Sequence, residues 1–517
     1  MNPAEGTIIA VDCGTQSLRL IIFEKDGTLL AKEQVCYKPY DAPKPGWAEQ
    51  NTEVWWGAFC TAVGKIKQSR PELLKKARGI GITSQRDTVI LIDREGKVLR
   101  PAITWLDTRQ ARGSYHPSGI MKAVYKFIGM YDKIIHSQSA GQCNWIRENE
   151  PEVWQKTWKV LMVSGYFNYR LTGIPADSPA SIVAHLPFSH KKRHWAGKSD
   201  ITYKIFPMEN DKKCTVIESG EFIGRVTKQA ALQTGLPEGL PVIACGSDKA
   251  CETLGMGCID TNTASLSFGT TATVEVCIDR YIEPLPFFPA YSAACPGCWV
   301  PEIEIFRGYW MISWFKNELG YEERLKATAT GIIPEKIMDS LLDASPPGCY
   351  GLMLQPYWGA SLKDDYAKGS IIGFGDVHGR HAMYRAIIEG LAYSLREGLE
   401  QLEKRGGFRV KQIAVSGGAS QSNRICQITA NILNRPLVRG SITEASALGA
   451  AVLTAKGTGF YDSINTSIKH MVRYERTFMP NPEHRKLYDG LYRTYTKIYP
   501  ALKDIYKEIR EITGYPS

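Results

Sequence analysis

Residues 7–23 read Thr7-Ile8-Ile9-Ala10-Val11-Asp12-Cys13-Gly14-Thr15-Gln16-Ser17-Leu18-Arg19-Leu20-Ile21-Ile22-Phe23. Two apolar, β-branched runs flank a tight loop, a pattern that predicts a buried hairpin. The loop carries an acid, a glycine and two hydroxyls. Such a loop is suited to aiming backbone N–H groups and hydroxyls at a phosphate, and Asp12 to holding a hydrated Mg²⁺. A plain hairpin turn, which Asp and Gly favour anyway, fits the same residues. The pattern returns later: Thr263 to Phe268 reads as a strand, Gly269-Thr270-Thr271 as a tight turn, and Ala272 to Ile278 as the returning strand. Two such hairpins, each opening about half of the chain, predict a duplicated α/β architecture with a phosphate pinched between the halves.

Between them lies Val242-Ile243-Ala244-Cys245-Gly246-Ser247-Asp248-Lys249-Ala250-Cys251, a buried strand running into a glycine turn and an apolar helix start. Asp248 at that turn suits a catalytic base. Capping the next helix is the commoner fate of such a residue, and the segment alone leaves both open.

Other strand ends are equally suggestive. Ala77 to Thr83 ends at Ser84-Gln85-Arg86-Asp87-Thr88, where Arg86 and Asp87 suit either a polyhydroxylated ligand held from two sides or a structural ion pair. Trp105-Leu106-Asp107-Thr108-Arg109 sets a flat apolar surface beside another acid–base pair, as carbohydrate sites do, although a core Trp is the plain alternative. Gln412 to Val415 runs into Ser416-Gly417-Gly418-Ala419-Ser420 and a helix from about Ser422 to Leu433. Glycines there let a base or phosphate approach the backbone, and the helix N-terminus favours negative charge. The small residues of Glu444 to Ala451 suit tight packing against that loop.

The remaining elements follow from periodicity. Thr52 to Lys67 reads as an amphipathic helix with Val54, Trp55, Phe59 and Val63 on its apolar side. Met121 to Leu171 is helical with Trp145, Trp154 and Trp158 as core candidates, 175–225 an elaborated loop region, and Arg225 to Thr234 a helix. Arg380 to Glu403 is a long helix stopped by Gly406-Gly407.

Length and composition bound the function. The 517 residues, 44% hydrophobic and 22% charged, suit a soluble globular protein of two domains. The net charge of +10 is modest, and the basic run His190-Lys191-Lys192-Arg193-His194 is expected to be a solvated loop. Basic residues interleaved with stacking aromatics are absent, so no nucleic acid is expected. No apolar run approaches the roughly 18 residues that span a bilayer, and Met1 to Gly6 lacks the features of a signal peptide. Thirteen scattered cysteines, several in apolar runs, point to reduced thiols and a cytoplasmic protein. Cys295 and Cys298 form a CxxC without a second pair, so a turn rather than a metal site is expected.

Taken together, Asp12-Cys13-Gly14-Thr15, Gly46-Trp47-Ala48-Glu49-Gln50, Gln85-Arg86-Asp87-Thr88, Trp105 to Arg109, Gly246-Ser247-Asp248, Phe268-Gly269-Thr270-Thr271, Ser416-Gly417-Gly418-Ala419 and Ala445 to Ala451 resemble the FGGY carbohydrate kinases. These are the glycerol, xylulose and related sugar kinases built on the duplicated actin-like (ribonuclease H-like) ATPase fold. The resemblance implies an N-terminal domain over 1–258 and a C-terminal domain over 259–517, with the active site in the cleft between them. By similarity Asp248 is the base, and Asp12 contributes to the Mg²⁺ site. Thr15, Ser17 and Arg19, with Gly269 and Thr270, cradle the phosphates of ATP. Gly417 and Gly418 approach the adenosine, with Ser422 or Asn423 nearby. Arg86, Asp87 and Trp105 take the sugar. A homodimer is common in the family.

Departures concern the substrate. The relatives carry Gln or Asn after the base, whereas this chain has Lys249, which is expected to contact an anionic or extra oxygen of the substrate. Pairing of Lys249 with a neighbouring acid is the alternative. An aromatic residue of the glycerol kinases is replaced by Ser137-Gln138, and the second hairpin resembles the pentulose kinases. The expected function is phosphorylation of a ketose, sugar acid or polyol. Glycerol kinase proper, a chaperone-type ATPase and a non-catalytic sugar or nucleotide sensor are the competing readings.

Overall fold

A computed structural model of the chain describes residues 6–358 and 366–515. Of the Met1–Gly6 opening, residues 1–5 lie outside the described residues. The polypeptide groups into two compact units. One comprises Met1–Ile259 with Ile278–Val300 and Glu444–Val472, the other Asp260–Cys277, Pro301–Thr443 and Arg473–Ser517. The long N-terminal segment of the first unit ends at Ile259, and two later segments add to it.

The first unit is built on strands β1 (Thr7–Cys13), β2 (Ser17–Glu24), β3 (Leu29–Cys36), β4 (Ala77–Ser84), β5 (Phe222–Arg225) and β6 (Pro241–Ile243), in the spatial order β5-β6-β4-β1-β2-β3. β1 to β3 form an antiparallel meander, β4 and β6 extend it in parallel, and β5 closes the edge antiparallel. β1 is buried on both faces, which is why it reads as an unbroken apolar run rather than an alternating one. Helix α1 (Thr52–Ser69) covers the sheet with Trp55, Trp56, Phe59, Ala62, Val63 and Ile66. Val54, expected on that face, is exposed instead, because the buried stripe is centred one residue later. The helical stretch after Met121 is interrupted by a short strand at Lys159–Leu161. Within it Trp145 and Trp154 are buried and Trp158 packs against the core.

The 175–225 region also holds β5, too short for its period to show. Arg225 therefore ends a strand, and the next helix, Lys228–Thr234, starts only after Thr227, whose hydroxyl caps it. In the basic run, His190 is buried and Arg193 pairs with Glu218 at 2.6 Å, so two of the five residues are anchors rather than solvated. Cys295 and Cys298 do form a turn, Cys298 N–H donating to the Cys295 carbonyl.

The second unit repeats the plan with β7 (Thr263–Phe268), β8 (Ala272–Val276), β9 (Glu302–Ile305), β10 (Gln412–Ser416), β11 (Leu437–Gly440) and β12 (Tyr474–Phe478), ordered β9-β8-β7-β10-β11-β12. Here too three antiparallel strands are extended by two parallel ones and closed by an antiparallel edge. The duplication predicted from two hairpins is thus a duplication of whole sheets. In such sheets ligands bind beyond the carboxyl ends of the parallel strands, and the motifs that follow β1, β4, β6, β7 and β10 lie there.

Candidate active site

In the first unit the Gly246-Ser247 turn delivers helix α2 (Asp248–Gly255). The Ser247 hydroxyl accepts from the Ala250 N–H, so Ser247 is the cap. Asp248 is the first helical residue, half-buried, and its Oδ1 accepts from the Lys249 N–H at 2.8 Å. Burial raises the Asp248 carboxyl above its ordinary value, against the pull of Arg86 and Lys249. Lys249 Nζ lies 2.8 Å from Glu252 Oε2, one turn on.

The turn is held from beneath. Ser178, Ser181 and Ser219 all donate hydroxyls to the Cys245 carbonyl, and Ser247 N–H donates to Ala180 O. Ser84 at the end of β4 pairs with Ser247, continuing the parallel ladder. A carboxylate set on such a platform keeps its geometry without reorganising.

Asp12 is buried at the penultimate position of β1, opposite Arg19, whose Nη1 lies 3.1 Å from its Oδ2. Burial pushes the Asp12 carboxyl up to about 6; Arg19 lowers it, and the carboxylates of Asp248 and Glu444 raise it further. Glu444 precedes helix α5 (Ala445–Gly457), lies 3.6 Å from Arg19 Nε and pairs with Lys32. Thr15 donates its hydroxyl to Gln85 Oε1 (2.8 Å) and accepts from Trp105 Nε1 (3.0 Å). The indole of Trp105 is 49% exposed, which rules out the core alternative. Ser17 is buried, and its hydroxyl accepts from Gln34 Nε2 at 3.1 Å.

Arg86 lies over the ring of Tyr291, 5.4 Å from its centroid, and Asp87 pairs with His185 at 3.0 Å. By contrast, Asp107 and Arg109 are buried in a structural network. Arg109 is sandwiched between Trp47 and Trp145 and bonds Asp107 and Glu49. Gln138 is buried and exchanges hydrogen bonds with the backbone of Tyr115.

In the second unit, the Gly269-Thr270 turn accepts from the N–H groups of Tyr309 and Trp310, and Thr270 is exposed. The turn after β10 sits on this hairpin. Gly417 has φ +86, and a Cβ there would stand 2.7–2.9 Å from the Phe268 backbone. A Cβ on Gly418 would meet nothing. The turn leads into helix α4 (Asn423–Leu433), which follows the long helix α3 (Arg380–Gly406). Ser422 caps α4 and donates to Asp339 Oδ1 at 2.6 Å, while Asn423 is exposed. The small residues of helix α5 predict close packing against this loop. The helix packs on α2, β1 and β4 of the first unit, where the glycines of two helices let their backbones meet.

Residues 7–255 match the N-terminal domain of the FGGY family of carbohydrate kinases, and residues 264–458 match its C-terminal domain. The chain belongs to the FGGY family of carbohydrate kinases. Members are ATP-dependent phosphotransferases, and this FGGY kinase is one by membership. It is 27% identical over 503 residues to the uncharacterized sugar kinase YgcE of Escherichia coli K12, covering 95% of this chain and 93% of that protein. It is 26% identical over 513 residues to the xylulose kinase of Lactococcus lactis, covering 98% of each. Its fold matches the ligand-bound xylulose kinase of Lactobacillus acidophilus with a TM-score of 0.82 at 21% identity, over 97% of this chain and 99% of that one. The actin-like ATPase fold expected from the motifs is therefore the fold present. Among the described residues no helix is long and apolar enough to cross a membrane.

Three residues of the site escaped the sequence reading. His185 is a lone histidine in an irregular segment, and Tyr291 lies in the half of the chain assigned to the other domain. Glu444 carried a signal, an acid directly before a helix of small residues, but its partners Arg19 and Lys32 are over 400 positions away.

Proposed function

We propose that this kinase transfers the γ-phosphoryl group of ATP to a hydroxyl of a ketose, sugar acid or polyol, with Asp248 as general base. The observation that carries the reading is the state of Asp248: relieved of capping by Ser247, half-buried, raised in pKa and within the field of Arg86. Its carboxylate takes the proton as the sugar oxygen bonds to phosphorus. The bridging P–O bond breaks, and ADP leaves with the electron pair. Arg86 and Asp87 orient the sugar hydroxyls, and the exposed face of Trp105 stacks on the apolar face of the ring. Arg19 and the Gly269-Thr270 turn bind phosphate, and Gly417-Gly418 the adenosine.

Among the described residues no cluster of three ligating side chains is found. Mg²⁺ is commonly held by one or two carboxylates plus water and phosphate. The negative charge around Asp12, which helps push its carboxyl up to about 6, fits a cation there. Asp12 would hold the ion, which when bound neutralises charge on the phosphates. A coupled ADP-release screen over polyols, ketoses and sugar acids tests the whole reading. ATP binding without turnover on any acceptor would favour the sensor.

Two further outcomes are expected. Lys249→Gln changes the ranking of acceptors, sugar acids losing most, if Lys249 reaches the substrate. An unchanged ranking assigns Lys249 to its Glu252 partner alone. In the glycine turn, Gly418→Ala leaves the melting temperature unaltered but raises the KM for ATP, since only a ligand meets a Cβ there. Gly417→Ala instead lowers the melting temperature, because φ is positive and Phe268 is in the way. Equal behaviour of the two variants refutes this assignment of the loop.

A further inference from the structure

We propose that His185 is a positioning residue for sugar recognition: it clamps the Asp87 carboxylate so that Asp87 and Arg86 read adjacent hydroxyls of the acceptor. The inference rests on the reading above that Arg86 and Asp87 hold the substrate. The His185 ring Nδ1 lies 3.2 and 3.0 Å from the two carboxylate oxygens of Asp87, and the His185 amide is 3.3 Å from one of them. Asp87 itself stands at φ +48, a left-handed conformation that a non-glycine residue keeps only when its surroundings impose it. The imposing contacts are on both sides of the residue. Its N–H donates to the Val183 carbonyl, and its carbonyl accepts from Gln142 Nε2, each at 2.8 Å. The 183–185 segment thus grips both backbone and carboxylate of Asp87.

Exposure distinguishes this clamp from a pair that merely holds the fold. The structural pair Asp107–Arg109 has side chains 2% and 3% exposed, whereas those of Asp87 and His185 are 27% and 35% exposed. An ionised carboxylate has about four lone-pair sites. His185 engages one side of it and leaves the remainder to hydroxyl donors. The charged and titratable groups around the pair are Arg86, which acts on Asp87, and the Cys143 thiol, which burial pushes up to about 12. Phe206 meets the imidazole edge to face at 5.8 Å. Asp87 raises the His185 pKa above its ordinary value, while burial of Asp87 is outweighed by His185 and Arg86, so its own pKa is lowered. The imidazolium therefore persists below the raised value, and the clamp weakens as pH rises through it.

The test is calorimetric sugar binding together with steady-state kinetics on the best acceptor of the screen, for wild type, His185→Ala and His185→Asn from acidic to alkaline pH. His185→Ala is expected to weaken sugar binding and raise its KM about 10- to 100-fold, the usual range for a lost charge-assisted hydrogen bond. KM for ATP and the melting temperature are expected to stay near wild type. His185→Asn, which retains a donor, recovers part of the affinity and removes the alkaline rise in sugar KM. Unchanged sugar affinity in His185→Ala, or parallel losses in ATP affinity and melting temperature, overturns the proposal. Sugar binding that depends on His185 without turnover on any acceptor leaves His185 in place and overturns the kinase reading instead.

Discussion

Asp248→Asn lowers kcat about a thousand-fold, the middle of the range for loss of a general base, while sugar and ATP binding and the melting temperature hold. The amide is isosteric and its oxygen keeps the bond from the Lys249 N–H. Ser247 continues to cap α2, so the helix start is untouched. What disappears is the group proposed to accept the hydroxyl proton. The pH profile provides a second check. Burial raises the Asp248 carboxyl, so the folded enzyme keeps it protonated to a higher pH than a free aspartate. A protonated carboxyl cannot accept a proton, so kcat/KM climbs as pH rises through a value raised above that of an ordinary aspartate. That acid limb vanishes from the residual activity of Asp248→Asn. Near-wild-type turnover in the purified variant would refute the base, and a limb at the ordinary aspartate pKa would refute the account of its burial.

Gly449→Ala is expected to be the most damaging single methyl in the first unit. Helices α2 and α5 cross on two glycines. A Cβ on Gly449 would run into the Cys251 carbonyl, and one on Gly255 into the Ala445 carbonyl. Both obstacles are backbone, so neither can swing aside as a side chain would. Overpacking of this kind costs typically 1–3 kcal/mol, of which the better helix propensity of Ala offsets up to about 1. A net loss of about 1–2 kcal/mol lowers the melting temperature by roughly 3–5 °C for a unit of this size. Activity falls by more than folding does. α2 begins at Asp248 and Glu444 immediately precedes α5, so a shift of the crossing moves both ends of the site, and misplacement by about 1 Å can cost a hundred-fold in rate. Gly57→Ala on α1 is the control, since a Cβ there meets nothing. If Gly449→Ala melts with Gly57→Ala and turns over normally, the crossing does not set the site.

The small-residue composition of Ala445 to Ala451 showed that this helix packs closely, but not against what. The loop at Gly417-Gly418 was the nearest small-residue motif in sequence; the actual partner is α2, some 200 residues earlier. The same division runs through the site. Asp12, Asp248 and the two glycine hairpins were legible because strand period, turn glycines and helix starts are written in neighbouring residues, where backbone dihedrals are decided. Whether Ser247 or Asp248 capped the helix was not legible, since both residue types cap well and only the hydrogen-bond geometry separates them. Asp107–Arg109 and Arg86–Asp87 looked alike as adjacent acid–base pairs. Burial made the first a structural network, and gave the second separate partners in His185 and Tyr291.

By itself, then, the sequence determined the duplicated α/β plan, the family and the acids and glycines at the strand ends. Only the tertiary structure decided that Ile278–Val300 and Glu444–Val472 join the first unit, and so which side chains surround Arg86, Asp87 and Arg19. The reason is physical. Local propensity acts over a few residues, whereas the partner of a buried charge is whatever oppositely charged or hydrogen-bonding group the packed sheets bring within about 3 Å, at any distance along the chain.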